Sequence, residues 1–142
     1  MKKIVLAALL VLLSFGTAMA QCDKKFVLTS SKTDYLDSSN NLQRSLDEES
    51  VVEISNSEIK VIPGNPERVM AGPVKSHECN WKVPYKEGKS IVKATVSNHD
   101  GETRDVLITI EGKDGAITFI AVLDNDQNRK VRLNVNSFQE KK

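Results

Sequence analysis

The most constraining feature of this sequence is the Asp114-Gly115 pair, which lies between two runs of alternating apolar and polar residues. An Asp-Gly pair in such a position is the strongest short signal for a two-residue β-hairpin turn. The turn sets three apolar pairs opposite each other on one face: Ile110 with Phe119, Ile108 with Ala121, and Val106 with Leu123. The sequence therefore predicts a hairpin with one buried face.

Neighbouring turns extend this face. The segment "NHDGE" fits a three-residue loop with Gly101 in the left-handed conformation. A further turn before Val131 and the turn "KEGK" add one strand on each side. The resulting pairs are Val92 with Ile108, Ala94 with Val106, Leu123 with Val131, Ala121 with Leu133, Phe119 with Val135, Val83 with Val92, and Trp81 with Ala94. Because a one-residue slip would turn a strand's apolar set outward, these four turns together predict a five-stranded antiparallel meander.

The N-terminal half carries weaker signals of the same kind. The segment "KFVLTSSKTDYLD" reads as a strand, with or without an interruption, and "VVEIS" and "EIKVI" flank Asn56-Ser57 as a hairpin. "LQRSL" is a candidate short strand, and "PGNPERVMAG" is too rich in Pro and Gly for regular structure, so we expect a surface loop there. Residues 21–142 are predicted to form a single all-β domain of eight or nine strands.

A meander of this length favours an up-and-down barrel, because closure removes the exposed sheet edges, and a two-sheet β-sandwich is the alternative. Two segments, "FVLTSSKTDYLD" and "CNWKVPYKEGKSIVKATV", make the chain resemble the lipocalin-like barrels of small secreted bacterial proteins. The lipocalin Gly-x-Trp signature is absent, since Phe26 follows Lys24 and Lys25. The resemblance implies a barrel that binds a small ligand, and no binding residue is carried over from it.

The N-terminus has the pattern of a secretory signal peptide. Lys2 and Lys3 precede the apolar run "IVLAALLVLLSFG", and Ala18 and Ala20 supply the small residues that signal peptidase requires. The run is shorter than the roughly 20 residues of a membrane-spanning helix. We therefore expect residues 1–20 to be removed and the protein to be periplasmic or extracellular, with an uncleaved anchor as the alternative.

Two cysteines, Cys22 and Cys79, remain after this processing. Lipidation of Cys22 is not expected, because lipoprotein processing requires a small residue immediately before the cysteine and Gln21 stands there. In an oxidising compartment an even number of cysteines favours a disulfide, and two free thiols are the alternative. Closing a loop of about 58 residues would stabilise the fold by about 4 kcal/mol in the chain-entropy model.

Charge and motifs exclude several functional classes. The chain has 20 Lys and Arg against 19 Asp and Glu, and without Lys2 and Lys3 the balance is 18 against 19. This even mixture provides no basic surface for nucleic acid. His77, His99 and the "DNDQN" segment lack the ligand spacing of zinc or calcium sites. We predict no cofactor, no metal and no catalytic group, and so no enzyme.

The shared apolar face is the predicted functional surface. If the barrel is hollow, its lining should bind a small apolar or amphipathic ligand, with an arginine at one mouth either to meet an anionic group or only to cap the barrel end and reach solvent. The predicted lining and mouth residues are Trp81, Val83, Val92, Arg104, Ile108, Phe119, Arg129 and Leu133. If the interior is packed, the same aromatic and aliphatic residues form only a core.

The outer face supplies a rival hypothesis. Leu107, Ile120 and Val122 fall together on the side where water is expected, and an apolar patch of this kind is often a protein contact surface. Residues 21–142 would then act through a protein partner, without a ligand. The sequence alone does not decide between the two functions.

Overall fold

The computed structural model describes residues 23–141, so the predicted signal peptide and Cys22 lie outside the described residues. Their structure is an all-antiparallel sheet of nine strands with one short 3-10 turn, η1, at Pro66–Arg68. The strands are β1 Phe26–Leu36, β2 Leu42–Leu46, β3 Ser50–Ile54, β4 Glu58–Ile62, β5 Met70–Val83, β6 Glu87–Ser97, β7 Thr103–Lys113, β8 Ala116–Leu123 and β9 Lys130–Glu140.

The sheet closes on itself. Strand β1 pairs with β9 along one edge, and its other edge pairs with β3 over the first half and with β2 over the second half. Eight strands thus form a closed barrel, and β2 is an additional strand outside the ring. The predicted up-and-down barrel is confirmed, and closure pairs its first strand with its last.

Two of the predicted hairpin registers are confirmed residue by residue. Ile110 pairs with Phe119 across β7 and β8, and Val92 pairs with Ile108 across β6 and β7. The predicted β8–β9 register was wrong by two residues. Ala121 pairs with Val131 and not with Leu133, because the connecting loop closes at a hydrogen bond from Leu123 N to Arg129 O. A two-residue shift keeps the same side chains inward, so the apolar face survives the error.

The predicted register of β5 and β6 was wrong. Trp81 pairs with Gly88 rather than with Ala94, and Val83 pairs with Glu87 rather than with Val92. The turn is tighter than expected because Tyr85 adopts a left-handed conformation (φ 61°) and Lys86 N donates to Val83 O. A register shift between Trp81 and Val83 then leaves Val83 40% exposed.

Strand β1 contains a bulge that reverses its inward and outward faces. Phe26, Leu28 and Ser30 are buried on the inner side, Ser31 and Lys32 are exposed, and Thr33 is again buried. The Ser30 hydroxyl bridges the irregular segment, donating to Lys32 O at 2.9 Å and accepting from Lys32 N at 3.3 Å. A bulge adds one residue and bends the strand, which changes the alternation of its side chains.

The segment predicted as a loop is only partly irregular. Asn65 caps η1 by accepting a hydrogen bond from Glu67 N at 2.9 Å. Strand β5 already begins at Met70, so the last residues of "PGNPERVMAG" belong to the sheet. Pro73 sits at the edge of this pairing, opposite Glu58 of β4. The Pro and Gly content correctly indicated an interruption but overstated its length.

Candidate ligand cavity

An aromatic cluster seals one end of the barrel, at the β3–β4, β5–β6 and β7–β8 turns. The ring of Phe138 lies at its centre, with ring centroids 5.0 Å from Phe26, 5.0 Å from Tyr85 and 5.5 Å from Trp81. The contacts with Phe26 and Tyr85 are edge-to-face, the arrangement that aromatic quadrupoles favour. These rings therefore pack against one another across this end of the interior.

Trp81 is the largest side chain of the seal and is 1% exposed. Its indole Nε1 donates to Ser90 Oγ at 2.8 Å, which satisfies the only polar atom of the ring. The ring lies against two glycines, since a Cβ placed on Gly112 would lie 2.7 Å from Trp81 Cζ3 and one on Gly88 would lie 2.8 Å from Cδ2. The absence of side chains at these two positions makes room for the indole.

Above the seal the barrel is hollow. A cavity of about 460 Å³ extends from the middle of the barrel to the opposite end, where the β2–β3, β4–β5 and β6–β7 connections lie. Its apolar lining comes from strands around the ring and consists of Val52, Ile59, Val61, Met70, Val96, Val106, Ile108, Phe119, Ala121, Leu123, Val131 and Leu133. This volume lies within the range of small-molecule sites, which is about 300–1,000 Å³.

A small polar strip interrupts this lining on the wall formed by β1 and β3. Thr33 and Ser50 are each 4% exposed and line the cavity, and Tyr35 joins them nearer the mouth. Arg44 of β2 lies over the Tyr35 ring, with its Cζ atom 4.4 Å from the ring centroid, so the outer strand holds this tyrosine by a cation–π contact.

Charged side chains are confined to the mouth. The acidic, basic and histidine residues that line the cavity are Glu48, Arg68, His99 and Arg104. Arg104 Nη1 lies 2.9 Å from Asp124 Oδ2, and Arg129 Nη1 lies 2.8 Å from the same oxygen. Desolvation acts to raise the pKa of Asp124, but hydrogen bonds from Arg104 and from the Asp105 amide, together with the charges of Arg104 and Arg129, hold that pKa below its usual value. Asp124 therefore neutralises much of the positive charge of Arg104 and Arg129, the two residues that the sequence suggested for contact with an anionic ligand.

The structure brings half of the predicted ligand residues to the cavity. Arg104, Ile108, Phe119 and Leu133 line it. Trp81 belongs to the seal and Val92 to the packed core, where both are fully buried. Val83 is exposed because of the tight β5–β6 turn, and Arg129 points to Asp124 without lining the cavity. These last four residues thus lie in the seal, in the core or at the surface, outside the lining of this cavity.

The predicted contact face is less exposed than the sequence suggested. Val122 is 8% exposed, and Leu107 and Ile120 are half-buried. The exposed large hydrophobic residues of the described chain are instead Leu42, at 56%, and Val83, at 40%. A protein partner at the Leu107, Ile120 and Val122 face stays a prediction.

Sequence reasoning missed Thr33 and Tyr35 as cavity residues. Strict alternation from Phe26 and Leu28 turns both of them outward, and only the bulge at Ser31-Lys32 brings them inward. The available signal was the polar run "TSSK", which breaks the alternation of the strand.

His77 and the "DNDQN" loop have structural partners. Burial lowers the pKa of His77, and its Nδ1 lies 3.0 Å from Asn56 Oδ1 at the sealed end. Asp126 Oδ1 accepts a hydrogen bond from Asn128 N at 3.0 Å within the loop. Among residues 23–141, no group of three or more His, Cys, Asp or Glu side chains is placed to hold a metal ion.

Cys79 is half-buried on β5, and its predicted partner Cys22 lies outside the described residues.

No helix within residues 23–141 is long and apolar enough to cross a membrane. Comparisons with protein-family models, with curated proteins and with solved structures found no match to this chain.

Proposed function

We propose that this protein is an exported, lipocalin-like barrel that binds one small apolar or amphipathic molecule in its interior. The observation that carries the proposal is the cavity of about 460 Å³, sealed by aromatic rings at one end and reached between loops at the other. Its lining is mainly aliphatic, and its few polar groups stand on one wall and at the mouth. Small-molecule sites commonly combine these properties.

The energetic cost of the cavity supports the same conclusion. Protein interiors are usually close-packed, and a void in an apolar core costs about 24 cal/mol for each Å³. At that rate an empty cavity of about 460 Å³ forgoes roughly 11 kcal/mol that larger side chains would have supplied. Ala121 and Val106 are small residues at positions where the barrel has room for larger ones. Keeping the interior hollow is favourable only if an occupant regains that free energy.

Export and a Cys22–Cys79 disulfide are part of the proposal. The charged start, apolar run and Ala18-x-Ala20 triplet support export, and two cysteines in an oxidising compartment support the bridge. No catalytic step is proposed, since the cavity residues argue for binding and no nucleophile with an adjacent base could be identified among them.

The test is binding of the neutral fluorescent probe N-phenyl-1-naphthylamine to the mature protein and to Ala121→Phe. Ala121 is 7% exposed and faces the cavity, so a phenyl group there occupies the space that a ligand would use. We expect saturable one-to-one binding to the wild type and at least a tenfold loss of affinity in Ala121→Phe.

The matched control is Ala116→Phe, which adds the same ring at an exposed position at the start of β8. It should bind the probe as the wild type does. Near-ultraviolet circular dichroism of the single tryptophan checks that each variant is folded. Equal probe affinity in folded Ala121→Phe and wild type, or no saturable binding by the wild type, would contradict the proposed function.

A further inference from the structure

Thr33 stands out among the cavity residues because its hydroxyl is not satisfied. The residue is 4% exposed, lines the cavity, and pairs with Leu133 of β9, another cavity residue. Its Oγ1 atom is buried and has no hydrogen-bond partner among the described residues. A buried hydroxyl normally has a partner, because leaving it unpaired costs the hydration it had in water.

The β1 bulge is what brings this hydroxyl to the interior. Ser31 and Lys32 are exposed, and the strand resumes with Thr33 facing inward at the point where β1 changes partner from β3 to β2. Thr33 pairs with Leu46 of β2 and Leu133 of β9, and neither of these apolar side chains can bond its hydroxyl. In this conformation Oγ1 is shielded, and a rotation about the Cα–Cβ bond, which exchanges methyl and hydroxyl, would bring it to the cavity.

The cavity has a wall with hydroxyl groups around Thr33 and an apolar wall opposite it. Ser50 is the second buried hydroxyl on this wall, and Tyr35 continues it toward the mouth. The opposite wall belongs to β6, four strands away in the ring of eight, and its cavity residue is Val96. The wall beside it, on β7, presents Val106 and Ile108, with Arg104 nearer the mouth. Below the mouth, one side of a ligand therefore meets hydrocarbon, while the other meets hydroxyl groups.

The charge distribution restricts which kind of ligand group can bond the Thr33 hydroxyl. The cationic residues of the lining are at the mouth, and Arg104 there is already bound to Asp124. An ionised group beside Thr33 would lose its hydration without gaining a counter-ion, which is strongly unfavourable. A neutral hydroxyl or carbonyl requires only one hydrogen bond, and a threonine hydroxyl can donate or accept it.

Resting on the proposed function, we infer that the ligand is a neutral molecule whose apolar skeleton carries a hydroxyl or carbonyl group, and that this group bonds the Thr33 hydroxyl. Thr33 is then a specificity-determining residue. It favours oxygenated molecules over hydrocarbons of the same shape, since the hydrocarbon leaves the hydroxyl unpaired.

The test uses 2-naphthol and naphthalene, which share a ring system and differ by one hydroxyl group. The affinity of each molecule is measured by displacement of N-phenyl-1-naphthylamine from the wild type, from Thr33→Val and from Thr33→Ser. The quantity compared between proteins is the ratio of the affinity for 2-naphthol to that for naphthalene. Thr33→Val removes the hydroxyl at constant shape, and we expect it to lower the preference for 2-naphthol about fivefold, the loss typical of one hydrogen bond. Thr33→Ser retains the hydroxyl and should retain the preference.

The control is Thr109→Val, the same change at a half-buried position of β7 outside the cavity lining, and it should leave the ratio unchanged. If Thr33→Val does not fold, Thr33→Ala makes the same comparison. An unchanged ratio in a folded Thr33 variant without the hydroxyl overturns the inference while leaving the proposed function intact. Failure of both molecules and of the probe to bind the wild type overturns the proposed function itself.

Discussion

Asp34 of β1 and Arg132 of β9 form an ion pair across the seam where the barrel closes. Arg132 Nη2 lies 2.8 Å and Nε 3.2 Å from Asp34 Oδ2, and the two residues are direct partners in the ladder. Ser45 of β2 donates to the other carboxylate oxygen, and Asn134 of β9 donates to Oδ2. One carboxylate, 4% exposed, thus joins the first strand, the last strand and the additional strand.

We predict that Asp34→Asn weakens the fold near neutral pH and has little effect in acid. Hydrogen bonds from Ser45 and then Arg132 lower the pKa of Asp34 from 3.8 to about 2. A carboxylate with a lowered pKa stabilises the folded state above its unfolded pKa, and this contribution is lost as the pH falls from about 4 to 2. We expect up to about 2 kcal/mol of destabilisation at pH 7, measured by urea unfolding at several pH values.

Asp47→Asn is the matched control for this comparison. Asp47 is an exposed carboxylate just after β2, and no side-chain hydrogen bond or ion pair involves it among the described residues. Its substitution should leave the unfolding free energy nearly unchanged at every pH. A difference between wild type and Asp34→Asn that is as large at pH 2 as at pH 7 would show that the ionised form is not what stabilises the seam.

The second prediction concerns the charge of the mouth. Asp124 binds both Arg104 and Arg129, so Asp124→Asn leaves two guanidinium groups without their shared counter-charge. We expect the affinity for decanoate to rise severalfold while that for 1-decanol stays constant, measured by probe displacement at low ionic strength. The gain should shrink as salt is added, because exposed charges are screened.

Asp126→Asn provides the comparison for Asp124→Asn. Asp126 lies in the same exposed loop and accepts a hydrogen bond from Asn128 N, and none of the described cations forms an ion pair with it. If it raised decanoate affinity as much as Asp124→Asn does, the effect would come from net charge alone. The assignment of Arg104 as the anion-facing group would then fail.

The third prediction tests the disulfide between Cys22 and Cys79. If the bridge forms, alkylation of the protein without reductant should label neither cysteine, and after reduction it should label both. Cys79→Ser should lower the unfolding free energy by about 2–5 kcal/mol, the usual loss for a native bridge in a small exported domain. The double variant with Cys22→Ser should be no less stable than either single one, since both remove the same bond. Full labelling without reductant would exclude the bridge.

Much of the architecture could be predicted from local signals. The Asp114-Gly115 turn and the alternation around it correctly predicted the β7–β8 register, because two-residue turns allow few geometries and a slip would expose the apolar face. The β5–β6 register could not be predicted in the same way. It depends on Tyr85 adopting a left-handed conformation and on Trp81 packing against Gly88 and Gly112, and Gly112 is distant from the turn in sequence.

The sequence by itself determined that this chain forms an antiparallel meander with one apolar face, since alternation and turn chemistry act over a few residues. Only the tertiary structure decided which side chains meet inside. Closure at the Asp34–Arg132 seam and the bulge at Ser31-Lys32 place Thr33 and Tyr35 on the cavity wall, although the alternation of the strand pointed them outward. Whether the interior is filled or hollow depends on the summed volume of side chains from eight strands within a ring of set circumference. No short segment contains that information, because the empty space belongs to the whole barrel.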